Sequence, residues 1–141
     1  MSIIRRLSGM LLVWLVFNAC SSSIAVFDQY AYRQTTALKV DALDLMDKAG
    51  VEYTAQEKQI MDMDILFRKV MEYERHRPQN EIVSDMWFKL YDPAFNLYGG
   101  FMKRWKEKGK LDRSFISDQQ QIVGLAFDQI AELESKLNKR K

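Results

Sequence analysis

One cysteine, one histidine, two prolines and six glycines are all that 141 residues hold of these types. A single cysteine forbids an internal disulfide and leaves Cys20 as a lone thiol or a modified residue. A single histidine rules out the paired Glu-x-x-His motifs of a di-iron bundle. It also leaves zinc short of its usual three or four ligands. The one approach to such a motif, Glu72-Tyr73-Glu74-Arg75-His76, has tyrosine three before the histidine. Glu72 and His76, four apart, read more simply as a pair near a helix C-terminus. No serine is flanked by the glycines of a nucleophile elbow. Catalytic residues, metal and cofactor are therefore all expected to be none, and the chain is not expected to be an enzyme.

Scarce proline and glycine also mean that no linker divides the chain, and no repeat at solenoid spacing is present. Alternating β-branched runs are missing too, so nothing competes with helix. The length suits one domain, and 48% hydrophobic with 28% charged residues argues for a packed globule. Net charge is small, +2. Setting residues 1–19 aside removes Arg5 and Arg6 and no acid, so 21 basic residues fall to 19, equal to the 19 acidic ones. Nucleic acid is not an expected partner.

What the chain does have is an ordered front end. Arg5 and Arg6 precede the apolar run Leu7–Phe17, which ends at Asn18-Ala19-Cys20. This is the layout of a secretory signal. With small Ala19 directly before Cys20, the segment resembles the bacterial lipoprotein signal, though Phe17 stands where leucine is usual. The resemblance implies cleavage before Cys20 and lipidation of its thiol. The expected division is a signal peptide over 1–19, a lipidated cysteine and short tether over 20–23, and a helical domain over 24–141. The alternative is an uncleaved transmembrane helix, because Leu7–Phe27 carries no charge and is long enough to span a bilayer. Either way the arginines precede the apolar run, which places the domain outside the cytoplasm, on the periplasmic face. Ser21 in place of aspartate implies, by the sorting habit of such lipoproteins, the outer membrane over the inner one.

Beyond the signal, every long segment has helical period. Ala31, Thr35, Leu38, Ala42, Leu45 and Ala49 mark the inward stripe of a helix from about Ile24 to Ala49, stopped by Gly50. Thr54-Ala55-Gln56-Glu57 reads as a capping box opening a second helix through Ile60, Met63, Phe67 and Val70, which ends before Pro78. Asn80 is placed to cap a third, over Val83, Trp87 and Leu90. Asp92-Pro93 predicts the start of a fourth, carrying Ala94, Leu97, Phe101 and Trp105 to a stop at Gly109. Gly99-Gly100 would then lie mid-helix, at a propensity cost of about 2 kcal/mol against two alanines. The pair marks a break or a close approach of two backbones. Asp112 or Ser114 begins the last helix, with Val123, Ala126, Ile130, Leu133 and Leu137 facing inward. The fold class is all-α, an antiparallel bundle of four to five helices after an N-terminal signal or anchor. The segments FDQYAYRQTTALKVDALDLMDKA, NEIVSDMWFKL and GGFMKRWKEKGKL resemble small bacterial lipoproteins of unassigned function.

Acidic clusters read as solvated surface. Asp62 and Asp64, two apart on a helix, diverge by about 200°, and Asp41, Asp44 and Asp47 form a stripe without a calcium loop. The one suggestive surface is basic: Lys103, Arg104, Trp105, Lys106, Lys108 and Lys110. It suits an anionic lipid, a polyanionic glycan or an acidic protein partner. It suits equally a helix whose Phe101 and Trp105 face the core while its lysines complement the dipole. Lys136, Lys139, Arg140 and Lys141 form a second basic cluster. The expected function is a membrane-anchored, non-enzymatic binding or scaffolding module, tied to the membrane by lipid on Cys20. The alternative is a ligand carrier or enzyme with a site inside the bundle, which convergent polar groups in a cavity would favour.

Overall fold

The computed structural model describes residues 27–138. The signal segment, Cys20, the tether at 20–23, and Lys139, Arg140 and Lys141 lie outside the described residues. Five α-helices pack together: α1 (Gln29–Asp47), α2 (Glu57–Arg75), α3 (Glu81–Tyr91), α4 (Tyr98–Lys108) and α5 (Arg113–Asn138). Four of them, α1, α2, α3 and α5, run alternately up and down as a bundle, and α4 is a short cross-piece at one end.

The direction of each neighbour follows from side-chain pairing. Lys39 meets Asp128, Gln120 donates to the Leu43 carbonyl, and Arg113 reaches the Asp47 carbonyl. As numbers rise in α1 they fall in α5, so the two are antiparallel. Asp64 pairs with Tyr91, and Ser84 bonds the Glu74 carbonyl, so α2 and α3 are antiparallel too. Between them a single core is filled by Phe67, Trp87, Phe127, Phe101, Trp105, Met46 and Leu90, all fully buried. Phe67 is its hub, stacked on Tyr98 at 4.4 Å and in tilted or edge contact with Trp87, Tyr91 and Phe127. Rings of that size contribute most of the apolar burial.

The inward stripe expected of the first helix is buried at every position, Ala31, Thr35, Leu38, Ala42, Leu45 and Ala49. Its start is not at Ile24. Asp28 is extended and accepts the backbone N–H groups of Tyr30 and Ala31, so α1 opens at Gln29. Gly50 ends a 3₁₀ turn, Lys48–Gly50, that follows Asp47.

Three expected caps differ. The Thr54–Glu57 box is not formed. The chain enters α2 through a 3₁₀ turn, Tyr53–Gln56, because Tyr53 is tied down first: its N–H bonds the Gly109 carbonyl at 2.7 Å and its ring packs edge-on against Trp105. Asn80 occupies the cap position of α3, but its side chain turns away to Glu74. Asp92-Pro93 begins a turn, not a helix. Asp92 Oδ1 accepts from the Ala94 N–H, and α4 starts only at Tyr98.

Gly99-Gly100 therefore sits in the first turn of α4, and close approach is the reason for both glycines. A Cβ on Gly99 would lie 1.9 Å from the Tyr91 carbonyl oxygen, and one on Gly100 would lie 2.1 Å from that of Phe95. Those atoms are backbone and cannot swing aside. At its other end α4 stops at Gly109, whose φ of 77° is in the left-handed region. No helix among the described residues is long and apolar enough to cross a membrane.

Candidate functional site

The basic segment splits cleanly by face. Phe101 and Trp105 are buried, and the Trp105 indole N–H donates to the Val51 carbonyl at 3.0 Å. Trp105, expected among the contact residues, is thus removed from any outside partner. Lys103, Arg104, Lys106, Lys108 and Lys110 are exposed. The Arg104 guanidinium lies over the Phe115 ring at 4.3 Å, a cation–π contact that holds the side chain without an anionic partner.

None of these five bases has an ion-pair partner among the described residues. Elsewhere pairing is the habit of the fold: Lys39–Asp128, Lys48–Asp44, Lys58–Asp62, Arg68–Asp64, Arg75–Glu72, Lys89–Asp85, Arg113–Asp47 and Lys136–Glu132. Apart from the α4 segment, only Arg33 and Lys69 among the described bases lack such a partner. Of the acidic residues expected to be ordinary surface, Asp44, Asp47, Asp62 and Asp64 are each engaged by a base, and Asp41 is exposed without one.

Lys103 and Lys106 also form one rim of a cleft of about 500 Å³, open to solvent, whose other lining includes Tyr53, Ile60, Asp64, Tyr91, Tyr98, Gly99 and Met102. The topology builds it. The carbonyl of Tyr91 lies against Gly99, so the first turn of α4 is held at the end of α3, and Tyr98 stacks on Phe67 of α2. Asp64 is the fixed point, accepting from the Tyr91 hydroxyl at Oδ1 and from Arg68 Nε at 2.9 Å on Oδ2. Burial and the bond to Asp64 push the Tyr91 phenol up to about 12. Tyr98 is only 3% exposed, and burial, then the nearby Tyr53, Asp64 and Tyr91, push its phenol far above the ordinary range.

No family model, curated protein or solved structure matches this chain.

A second polar constellation, at the opposite end of the bundle, is the one that sequence reasoning missed. Arg77 follows α2 and inserts its guanidinium between two helices. Nη1 donates to Glu74 Oε2 at 2.8 Å and to Glu134 Oε1 at 2.5 Å, and Nη2 donates to Glu134 Oε2 at 3.2 Å. The side chains of Glu74 and Glu134 are 1% and 0% exposed. Asn80 donates to both the carbonyl and Oε2 of Glu74. Burial pushes the Glu74 carboxyl above its ordinary range despite the opposing Arg77 and Asn80. At the rim, burial acts to raise Asp28 as well. Hydrogen bonds from Tyr73 and the N–H groups of Ala31 and Tyr30 outweigh it and hold that carboxyl low.

The signal for this cluster was present in the periodicity. Glu74 continues the inward stripe Phe67, Val70 one turn on, and Glu134 continues Phe127, Ile130 in the same way. Both glutamates fall where an apolar residue is due. His76 stays with its helix, its Nδ1 2.9 Å from the Glu72 carbonyl. Among the described residues no group of three or more histidine, cysteine or acidic side chains is arranged to hold a metal ion.

Proposed function

We propose that this chain is a membrane-anchored, non-enzymatic binding module, lipidated at Cys20 on the periplasmic face, which engages an acidic macromolecule through α4. The observation that carries the reading is the unpaired charge of Lys103, Arg104, Lys106, Lys108 and Lys110, in a fold that pairs most of its other bases. The helix dipole accounts for Lys106 and Lys108, which lie in the last turn of α4. It does not account for Lys103 and Arg104, a turn earlier. Unneutralised bases on one short helix raise the local potential and draw anions within a Debye length, about 8–10 Å at physiological salt.

The position of α4 supports a partner other than the anchoring membrane. The chain enters the bundle at Asp28, beside Tyr73, and α4 lies beyond the far end of α1, where Trp105 meets Val51. Nineteen helical residues at 1.5 Å each separate those ends by roughly 28 Å.

The test uses the chain from residue 21 onward, after its helical signal and a cooperative melt have shown that it folds. Lys103, Arg104, Lys106 and Lys108 are replaced together by glutamine, and binding to polyglutamate and to phosphatidylglycerol vesicles is measured at low and high salt. Wild type is expected to bind polyglutamate with a salt-sensitive affinity that the variant loses. Equal binding by the two proteins at low salt would overturn the proposal.

A further inference from the structure

The tyrosine-lined cleft under α4 has donors with nothing to donate to. Tyr98 is only 3% exposed, and its ring is buried against Phe67 while its hydroxyl, bonded to no other described residue, opens to the cleft. The Tyr53 hydroxyl likewise has no such bond. Both phenols lie near enough to Asp64 to be pushed upward by it, burial being the larger cause in each. Lys103 and Lys106, without ion-pair partners, close the rim. The cleft thus presents two free phenolic donors and two free ammonium groups.

Two carboxylates act on these phenols: Glu57, which reaches Tyr53, and Asp64, which is already engaged. Arg68 offsets the Asp64 charge and the Tyr91 hydroxyl occupies its other oxygen. Counting Lys103, Lys106 and Glu57, the local sum is about one positive charge. The first turn of α4, which has no side-chain cap and contributes Gly99 to the lining, adds the partial positive charge of a helix N-terminus. Ile60, Pro93 and Met102 supply an apolar wall.

From this we infer that the cleft is a binding site for a phosphate monoester with an apolar or ring-bearing substituent. A phosphate monoester carries a charge of about −1.5 to −2 at neutral pH and three acceptor oxygens, which match two ammonium groups and two phenols. A carboxylate has lone pairs enough for these donors but brings only one charge to the two ammonium groups. The ester substituent lies along Ile60, Pro93 and Met102. Such an ester comes either from a soluble metabolite or from a lipid headgroup. The inference shares Lys103 and Lys106 with the basic face proposed above and so rests partly on that reading.

The experiment separates the two. Full-length chain in a nonionic detergent is titrated calorimetrically with phenyl phosphate, glycerol phosphate and inorganic phosphate. The same titrations are run on Tyr98→Phe and on Lys103→Gln/Lys106→Gln. Both esters are expected to saturate one site, and at least one to bind more tightly than inorganic phosphate. Preference for phenyl phosphate assigns a soluble ring ester, and preference for glycerol phosphate assigns a headgroup. Tyr98→Phe removes an unpartnered hydroxyl, so the fold is retained, while ester affinity falls about tenfold, the loss of one hydrogen bond to a charged group. Its binding to polyglutamate is unchanged, because no surface charge is altered. Absence of saturable ester binding at about 10 mM, a millimolar affinity being the weakest of interest, would overturn the inference. So would equal ester affinity in Tyr98→Phe, or inorganic phosphate binding as tightly as either ester. Unchanged ester affinity in the lysine variant would overturn it as well, whatever happens to polyglutamate binding, which reads the basic face.

Discussion

Arg77→Met is the sharpest perturbation of this fold. The guanidinium is 8% exposed and stands between Glu74 and Glu134, whose side chains are essentially closed to solvent. Methionine keeps the stem and removes the charge, so two carboxylates lose their shared cation in a dry site. Breaking a buried ion pair from one side costs about 3–5 kcal/mol, a large share of the roughly 5–15 kcal/mol that holds a domain together. With a urea slope of about 2 kcal/mol/M, the midpoint falls by roughly 2 M. The penalty should also depend on pH. Glu74 already sits above its ordinary range because it is buried. The folded state therefore holds that proton more tightly than the unfolded chain does. Stability from this group is present below the ordinary glutamate range and is lost as pH rises through the raised value. Without Arg77, burial acts with less opposition and the loss grows. The variant should be closer to wild type at pH 5 than at pH 8. Replacing Glu74 and Glu134 by leucine in the same background should recover most of the deficit, since no buried carboxylate then remains. A penalty under about 1 kcal/mol, or one that is the same at both pH values, would refute the reasoning.

Gly99→Ala should destabilise by about 1–3 kcal/mol through overpacking against the Tyr91 carbonyl, read as a lower denaturant midpoint. Gly100→Leu should do the same against Phe95, and an unchanged midpoint in both would remove the close-contact account. Cys20→Ser should abolish incorporation of labelled fatty acid and leave an unprocessed precursor. If the wild-type protein takes up no label, the uncleaved helix replaces the lipoprotein reading.

How far the fold could be read in advance depended on which signals were periodic. The stripe of α1 was legible to the residue because alanine, leucine and threonine recur there without competing polar groups. The helix ends were less legible, because caps are decided by tertiary ties. Thr54 loses its box once Tyr53 is held by Gly109 and Trp105, and Asn80 gives its side chain to Glu74. Pro93 suggested a helix start that Asp92 converts into a turn, which moved the glycine pair from mid-helix to the first turn. In the candidate site, the exposure of the lysines was legible, and so was the burial of Phe101 as one of two readings. The cleft was not, because Tyr53, Asp64, Tyr91 and Tyr98 come from separate elements and share no local pattern. The Arg77 cluster stayed hidden for a different reason. A glutamate at an inward position looks like an interruption of the stripe until its counter-charge, 57 residues away in one case, is known.

The broad contact between α1 and α5 has a consequence in time. The first helix of the bundle leaves the ribosome before the other four described helices, but its principal partner is the last of the five. Until α5 arrives, α1 lacks that partner, and Arg77 has only one of its two carboxylates. The bundle therefore closes only after all five described helices have been synthesised. Long-range closure of this kind slows folding relative to a bundle of sequential hairpins. On the lipoprotein reading proposed above, the chain crosses a membrane as an unfolded thread, and such delay would keep the domain from shutting in transit.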